Sequence, residues 1–161
     1  MGQKEFQKTN MNSPLSTFAR PATVRRRVLL VDGSPQVLQD LRLLLELRGH
    51  VEIVAEAANG QEAVRLAADL APDGLLMDLE MPVMDGYQAT RQIKSLFPTP
   101  WVVILSVHAG SEERAKAIAT GADAFVVKGA GYDVLAIGGK DNLPTSPKGV
   151  EIRSPILGRS L

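Results

Sequence analysis

Residues 75–86 read Leu75-Leu76-Met77-Asp78-Leu79-Glu80-Met81-Pro82-Val83-Met84-Asp85-Gly86. A short run of large aliphatic residues closes on a carboxylate, and proline and glycine follow at once. That pattern predicts a strand buried on both faces, with its last acid delivered to a turn. The same grammar recurs. Val28-Leu29-Leu30-Val31 closes on Asp32, Trp101 to Leu105 on Ser106, and Ala124 to Val127 on Lys128. Val51 to Ala55 supplies one further β-rich run.

Helical patterns fill the gaps between these runs. Ser34-Pro35 offers a capping hydroxyl and a proline at the first helical position, and Leu38, Leu41 and Leu44 or Leu45 lead to a glycine stop at Gly49. Gly60 to Leu70 places Ala63, Val64, Ala67 and Leu70 at helical spacing, and Pro72 ends the stretch. Gly86 to Leu96 forms a third helix, and Ser111 is expected to cap a fourth that reaches Thr120, with Glu112 and Glu113 in its first turn. Five strands alternating with helices predict an α/β fold, a doubly wound five-stranded parallel sheet with helices on both faces. Ligands of such sheets bind outside the carboxyl ends of the strands, where this chain sets Asp32, Asp78, Ser106 and Lys128.

Those four residue types share a chemistry. Two carboxylates on adjacent strand ends form an anionic pocket that favours a hard cation, and Mg²⁺ suits one or two carboxylates completed by waters and a phosphate oxygen. Asp78 can then attack a phosphoryl group, while Ser106 and Lys128 each hold a phosphoryl oxygen. Taken singly, each residue has a plainer explanation: an aspartate after a strand often caps the next helix, and a lone Ser or Lys there is often solvated. The coincidence of all four carries the weight.

At this point the chain resembles the receiver (CheY-like) domain of two-component response regulators, with a flavodoxin-like fold. The likeness rests on Met77 to Gly86, on Val28 to Asp32, on Ser106, and on Gly121-Ala122-Asp123-Ala124-Phe125-Val126-Val127-Lys128. It covers about residues 26–137 and is closest in style to receivers of helix-turn-helix DNA-binding regulators. It implies that Asp78 accepts phosphate from a histidine kinase, that Lys128 binds the phosphate, and that Ser106 and Phe125 are switch positions. Phe125 otherwise reads as core. The implied metal set is Asp32, Asp78 and the backbone carbonyl of Glu80.

Two departures stand against that pattern. Receivers carry two adjacent acids after the first strand, whereas this chain reads Asp32-Gly33, so Mg²⁺ binding is expected to be weak. The Glu80 side chain, read first as a solvated loop carboxylate, is a candidate substitute. The final helix starts at Tyr132 to Ile137 and is broken by Gly138-Gly139, so it is expected to be truncated. The expected organisation is a flexible leader at 1–25, the receiver at 26–137 and an irregular tail at 138–161.

Composition limits the alternatives. The 161 residues carry no net charge, but residues 28–137 hold eight basic against fifteen acidic side chains, with the basic excess at both ends. There is no cysteine, so disulfides, thiolate metal sites and cysteine nucleophiles are excluded. No apolar run approaches membrane-span length, and a cytoplasmic protein is expected. Arg25-Arg26-Arg27 reads as a solvated edge, and His50 and His108 as surface or loop positions. An enzyme is disfavoured, beyond self-catalysed phosphoryl transfer and autodephosphorylation. Direct DNA binding is disfavoured too, since the segment after Lys128 is short and not helical enough to read a groove. A histidine kinase and an unidentified output protein are the expected partners, and a homodimer is compatible with the sequence. The alternatives are a pseudo-receiver that binds partners without switching, or a truncated relative of a DNA-binding regulator.

Overall fold

The computed structural model describes residues 24–129 and 150–152. Strand β1 (Arg26–Val31) leads to helix α1 (Pro35–Arg48), and β2 (Val51–Ala57) to α2 (Gly60–Leu70). Then come β3 (Gly74–Asp78), α3 (Gly86–Leu96), β4 (Trp101–Ser106), α4 (Ser111–Ala119), β5 (Ala124–Val127) and β6 (Val150–Ile152). The sheet order is β2-β1-β3-β4-β5-β6. Strands β1 to β5 are all parallel, as the five expected runs require. The chain reverses direction across the sheet after β2, so β1 and β3 lie side by side. That adjacency brings the residues after β1 and at the end of β3 to one edge.

Alternating strand residues feed two separate cores. Leu29, Val31, Leu75, Met77, Val102, Ile104 and Phe125 pack with Ala63, Ala67, Ala89, Ile93 and Ala117 from α2, α3 and α4. Val28, Leu30, Leu76, Val103, Leu105 and Val126 share the opposite face with Leu38, Leu41 and Leu45 of α1. Burial on both faces is why these strands are aliphatic throughout instead of alternating with polar residues.

Local signals shape the helix ends. The Ser34 hydroxyl accepts from the Val37 amide at 3.5 Å, and Gly49 closes α1 in the left-handed region at φ 69°. Asn59 and Asp85 accept from Glu62 N at 2.9 Å and Gln88 N at 2.8 Å, which caps α2 and α3. Helix α4 differs from expectation: its N-cap is Gly110, with no side-chain bond, and Ser111 is already helical. The Glu113 carboxylate fills the space a side chain at Gly110 would need.

Three further features depart from the sequence reading. Arg27 is not a solvated edge residue; its guanidinium donates to the carbonyls of Leu70 at 2.7 Å and Ala71 at 3.1 Å, closing the carboxyl end of α2. Strand β2 runs two residues past Ala55, and its register with β1 shifts between Val28 and Leu29. Strand β6 falls inside the stretch read as an irregular tail, and it pairs antiparallel with β5. Its Val-Glu-Ile sequence has the β-branched character that suits an added edge strand. The leader before Val24 and the short helix expected from Tyr132 lie outside the described residues.

Gly86 fixes how α3 leaves the sheet. A Cβ there would overlap the carbonyl oxygen of Asp78, and the Gly86 amide donates to Leu79 O at 3.0 Å. Gly86→Ala is therefore expected to force the turn after β3 outwards and to cost about 3 kcal/mol, the upper range for overpacking a tight site. Urea unfolding of the two proteins measures it, and a change within error would show that the turn yields freely.

Candidate functional site

The strand-end residues converge as the topology requires. Asp32 follows β1, Asp78 ends β3, Ser106 ends β4 and Lys128 follows β5, and all four line one cavity of about 320 Å³ together with Gly33 and Glu80. Asp32 is 2% exposed and Asp78 6%. Lys128 Nζ reaches Asp32 Oδ2 at 2.7 Å and Asp78 Oδ1 at 2.8 Å, so a single ammonium bridges both carboxylates. The backbone helps to position it, because the Lys128 amide donates to Ser106 O at 2.7 Å. Asp32 Oδ1 also accepts from the Ser34 amide at 2.8 Å, which fixes its carboxylate at the entry to α1.

The charge count explains the proton affinities. Burial raises the Asp78 pKa above the ordinary carboxylate value; the Lys128 hydrogen bond opposes this, but the Asp32 charge adds to it. Burial by itself would lower the Lys128 pKa, yet the hydrogen bonds to Asp32 and Asp78 and both anionic charges outweigh it and raise the value. One cation shared by two anions gives this asymmetry: the ammonium is strongly held, while Asp78 ionises against its neighbour.

Ser106 is buried, and its Oγ accepts from the His108 amide at 3.1 Å. Phe125 is fully buried on the face of β5 that packs with α3 and α4, in register with Ile104 and two pairs short of Ser106, which pairs with Val127. Glu80 does not turn its carboxylate to Lys128. It is exposed, and Glu80 Oε1 lies 3.1 Å from His108 Nε2. His108 lies exposed in the loop after β4, and its place two residues after Ser106 is the sequence signal that sets it beside the site. His50 has no such placement at the site.

Position 33 is open. A Cβ built on Gly33 would meet Pro82 Cδ at 3.5 Å, Ala58 O at 3.8 Å and Glu80 O at 3.9 Å, which are ordinary contacts. A side chain would therefore fit there, beside the Glu80 carbonyl. As it stands, the oxygen donors are the Asp32 and Asp78 carboxylates and that carbonyl. No cluster of three or more His, Asp or Glu suited to a metal occurs among the described residues. The donor set is hard and fits Mg²⁺, with most of its coordination left to water.

Comparison with known proteins adds the lineage. Residues 28–136 match the family described as the response regulator receiver domain. The chain is 42% identical over 101 residues to a protein-glutamate methylesterase/protein-glutamine glutaminase of Methanospirillum hungatei, a match covering 63% of this chain and 29% of that protein. It is 39% identical over 109 residues to the transcriptional regulatory protein YdfI of Bacillus subtilis, covering 68% of this chain and 51% of that one. A crystal structure of a LuxR-family two-component response regulator from Aurantimonas superposes with a TM-score of 0.66 at 37% identity, covering 69% of this chain and 79% of that one. The chain thus spans about half or less of the length of these curated relatives.

Two expectations follow from the shared ammonium. Lys128→Met leaves two buried carboxylates without a countercharge and is expected to cost about 3–5 kcal/mol near neutral pH. The loss should shrink on acidification, because the carboxylates of the variant take up protons more readily in the fold than in the unfolded chain. Asp78→Asn should do the reverse. The folded state holds the Asp78 proton more tightly than the unfolded state, so this group's contribution to stability falls as pH rises through its raised pKa, and removing the charge raises the melting temperature at pH 7. Melting curves of both variants between pH 4 and 8 decide the matter; a destabilised Asp78→Asn would refute the charge account.

Proposed function

Because the chain belongs to the response regulator receiver domain family, we propose that it is a phosphoaccepting signalling module in which Asp78 takes a phosphoryl group from a histidine kinase. The observation that supports this most directly is the Lys128 ammonium held between Asp32 and Asp78 at the carboxyl edge of the sheet. In this reading an Asp78 carboxylate oxygen attacks the phosphorus of a phosphohistidine. A P–O bond forms, the P–N bond breaks, and the imidazole leaves as a neutral ring after taking a proton. The aspartyl phosphate carries more charge than the carboxylate it replaces. Lys128 then turns from Asp78 Oδ1 to a phosphoryl oxygen, and the Ser106 hydroxyl exchanges its backbone bond from His108 for a bond to the phosphate.

Mg²⁺ bound by Asp32, Asp78 and the Glu80 carbonyl would neutralise charge on the phosphoryl oxygens. Gly33 supplies no carboxylate, so binding is weak and phosphorylation slow. Ser106 and Phe125 act as the switch, since movement of Ser106 alters the β4–α4 loop and the face over residues 107–128 that an output protein reads. The esterase activity of the methylesterase relative is not carried over, because the match reaches only 29% of that protein. No helix among the described residues is long and apolar enough to cross a membrane. The reading places the protein in the cytoplasm, alongside its kinase.

Gly33 also supports a second reading, a receiver-derived binding domain that recognises its partner whether or not Asp78 is modified. Incubation with acetyl phosphate and Mg²⁺ followed by intact-mass measurement separates the two. A gain of one phosphate in the wild type and none in Asp78→Asn supports phosphoacceptance, and no gain under forcing conditions favours the second reading. Gly33→Asp is expected to tighten Mg²⁺ binding by roughly tenfold or more, the gain of one carboxylate ligand. Calorimetry is the suitable readout, since the single tryptophan, Trp101, lies at the opposite end of the sheet over Gly74.

A further inference from the structure

Helix α4 is unusual for how little it buries. Its nine residues contribute one fully buried side chain, Ala117, whereas α1, α2 and α3 each bury three or four residues. Its first turn also lacks a side-chain cap, because the N-cap is Gly110. Apolar packing therefore holds it weakly, yet it lies in place against β5 and α3. The contacts that remain are electrostatic. Arg114 places its guanidinium carbon 5.6 Å from the centre of the Phe125 ring on β5. Lys116 places Nζ 4.3 Å from the centre of the Tyr87 ring on α3. Tyr87 completes the tie by donating its hydroxyl to the Glu113 carbonyl at 3.4 Å.

The Arg114 contact carries a cost that shows what it is for. Arg114 Nε is buried and has no hydrogen-bond partner. A guanidinium that gives up hydration at one nitrogen is retained in place only if something else holds it, and the face of Phe125 is the partner the geometry provides. Phe125 itself is fully buried, so its ring is covered on this side by a cation.

We propose that Arg114 and Lys116 are positioning residues that latch α4 to the sheet and to α3 through the rings of Phe125 and Tyr87. The position of α4 is set by two cation–aromatic contacts more than by its apolar face. The helix can therefore open while the sheet stays folded, and its opening releases the ring of Phe125. The resting latch itself does not depend on phosphorylation. Its link to signalling does rest on the phosphoacceptor reading, because only there does movement at Ser106 compete with the hold that Arg114 keeps on Phe125.

Amide hydrogen exchange on the full chain, without phosphodonor, tests the latch directly. Arg114→Met keeps the length and apolar stem of the side chain but removes the charge; Arg114→Lys keeps a cation. In Arg114→Met the amides of α4 should exchange roughly five- to tenfold faster, as expected for losing one partly desolvated cation–aromatic contact. Amides of β1 and β3 should be unchanged, and Arg114→Lys should restore most of the protection. Lys116→Met, at an exposed position, should give a smaller change of the same kind and carries the test should Arg114→Met not fold. Unchanged α4 exchange in the charge-removing variants would overturn the proposal. So would an equal acceleration through β1 and β3, since that is a general loss of stability. A second arm compares beryllofluoride binding with Mg²⁺ present, where Arg114→Met should bind several-fold more tightly than the wild type. If no variant binds beryllofluoride, the phosphoacceptor reading fails while the exchange result still stands; if all bind equally, the latch has no part in the switch.

Discussion

The structure depends on one electrostatic arrangement, an ammonium serving two carboxylates that the fold has removed from water. Asp32 and Asp78 are brought together because β1 and β3 are neighbours in the sheet and both end at the same edge. Both carboxylates are largely withdrawn from bulk solvent, so their repulsion is only weakly screened. Lys128 answers it from the far side, across β4, and its backbone bond to Ser106 sets the reach of the side chain. The site is thus a balance with one positive charge too few. In the proposed function a divalent cation would supply the missing charge, and a phosphoryl group would give the lysine a stronger acceptor than the carboxylate it leaves.

Much of this could be read from residue order. The strand runs were legible because burial on both faces leaves an uninterrupted aliphatic signature, and the polar residue that ends each run marks the edge where the sheet stops. The cap at Ser34 and the glycine at Gly49 were equally local signals. What could not be read depends on contacts between distant segments. Arg27 looks like any basic surface residue until α2 is laid beside β1, when its guanidinium meets the open carbonyls of Leu70 and Ala71. Glu80 and His108 are 28 residues apart, and only the approach of two loops pairs them. The cap of α4 was misread because Ser111 has the right chemistry for a cap, while the backbone places it one residue too late.

The turn between β3 and α3 shows how the site constrains its own support. Gly86 is required because the helix starts against the Asp78 carbonyl. Three residues earlier, Val83 holds φ at 69° and is 79% exposed, a left-handed conformation that a β-branched residue adopts only under strain. The loop that carries Glu80 is therefore pinned at one end by a close approach and strained near its middle. The Glu80 carbonyl lies near position 33, on a loop that Leu79 anchors in the core, with Met81 and Met84 packed against that core.

The sixth strand changes how the molecule meets other copies of itself. A parallel sheet ending at β5 would leave a row of unsatisfied amides and carbonyls along its rim, a template on which another chain can add a strand. Val150–Ile152 covers that rim from within the same chain. The opposite rim, β2, carries Glu52 at an exposed position, a charge that an incoming strand would have to desolvate, and Glu56, which pairs with Arg42 of α1 at 2.6 Å. The two rims of the sheet thus differ, with the chain's own backbone covering one and a charged side chain marking the other.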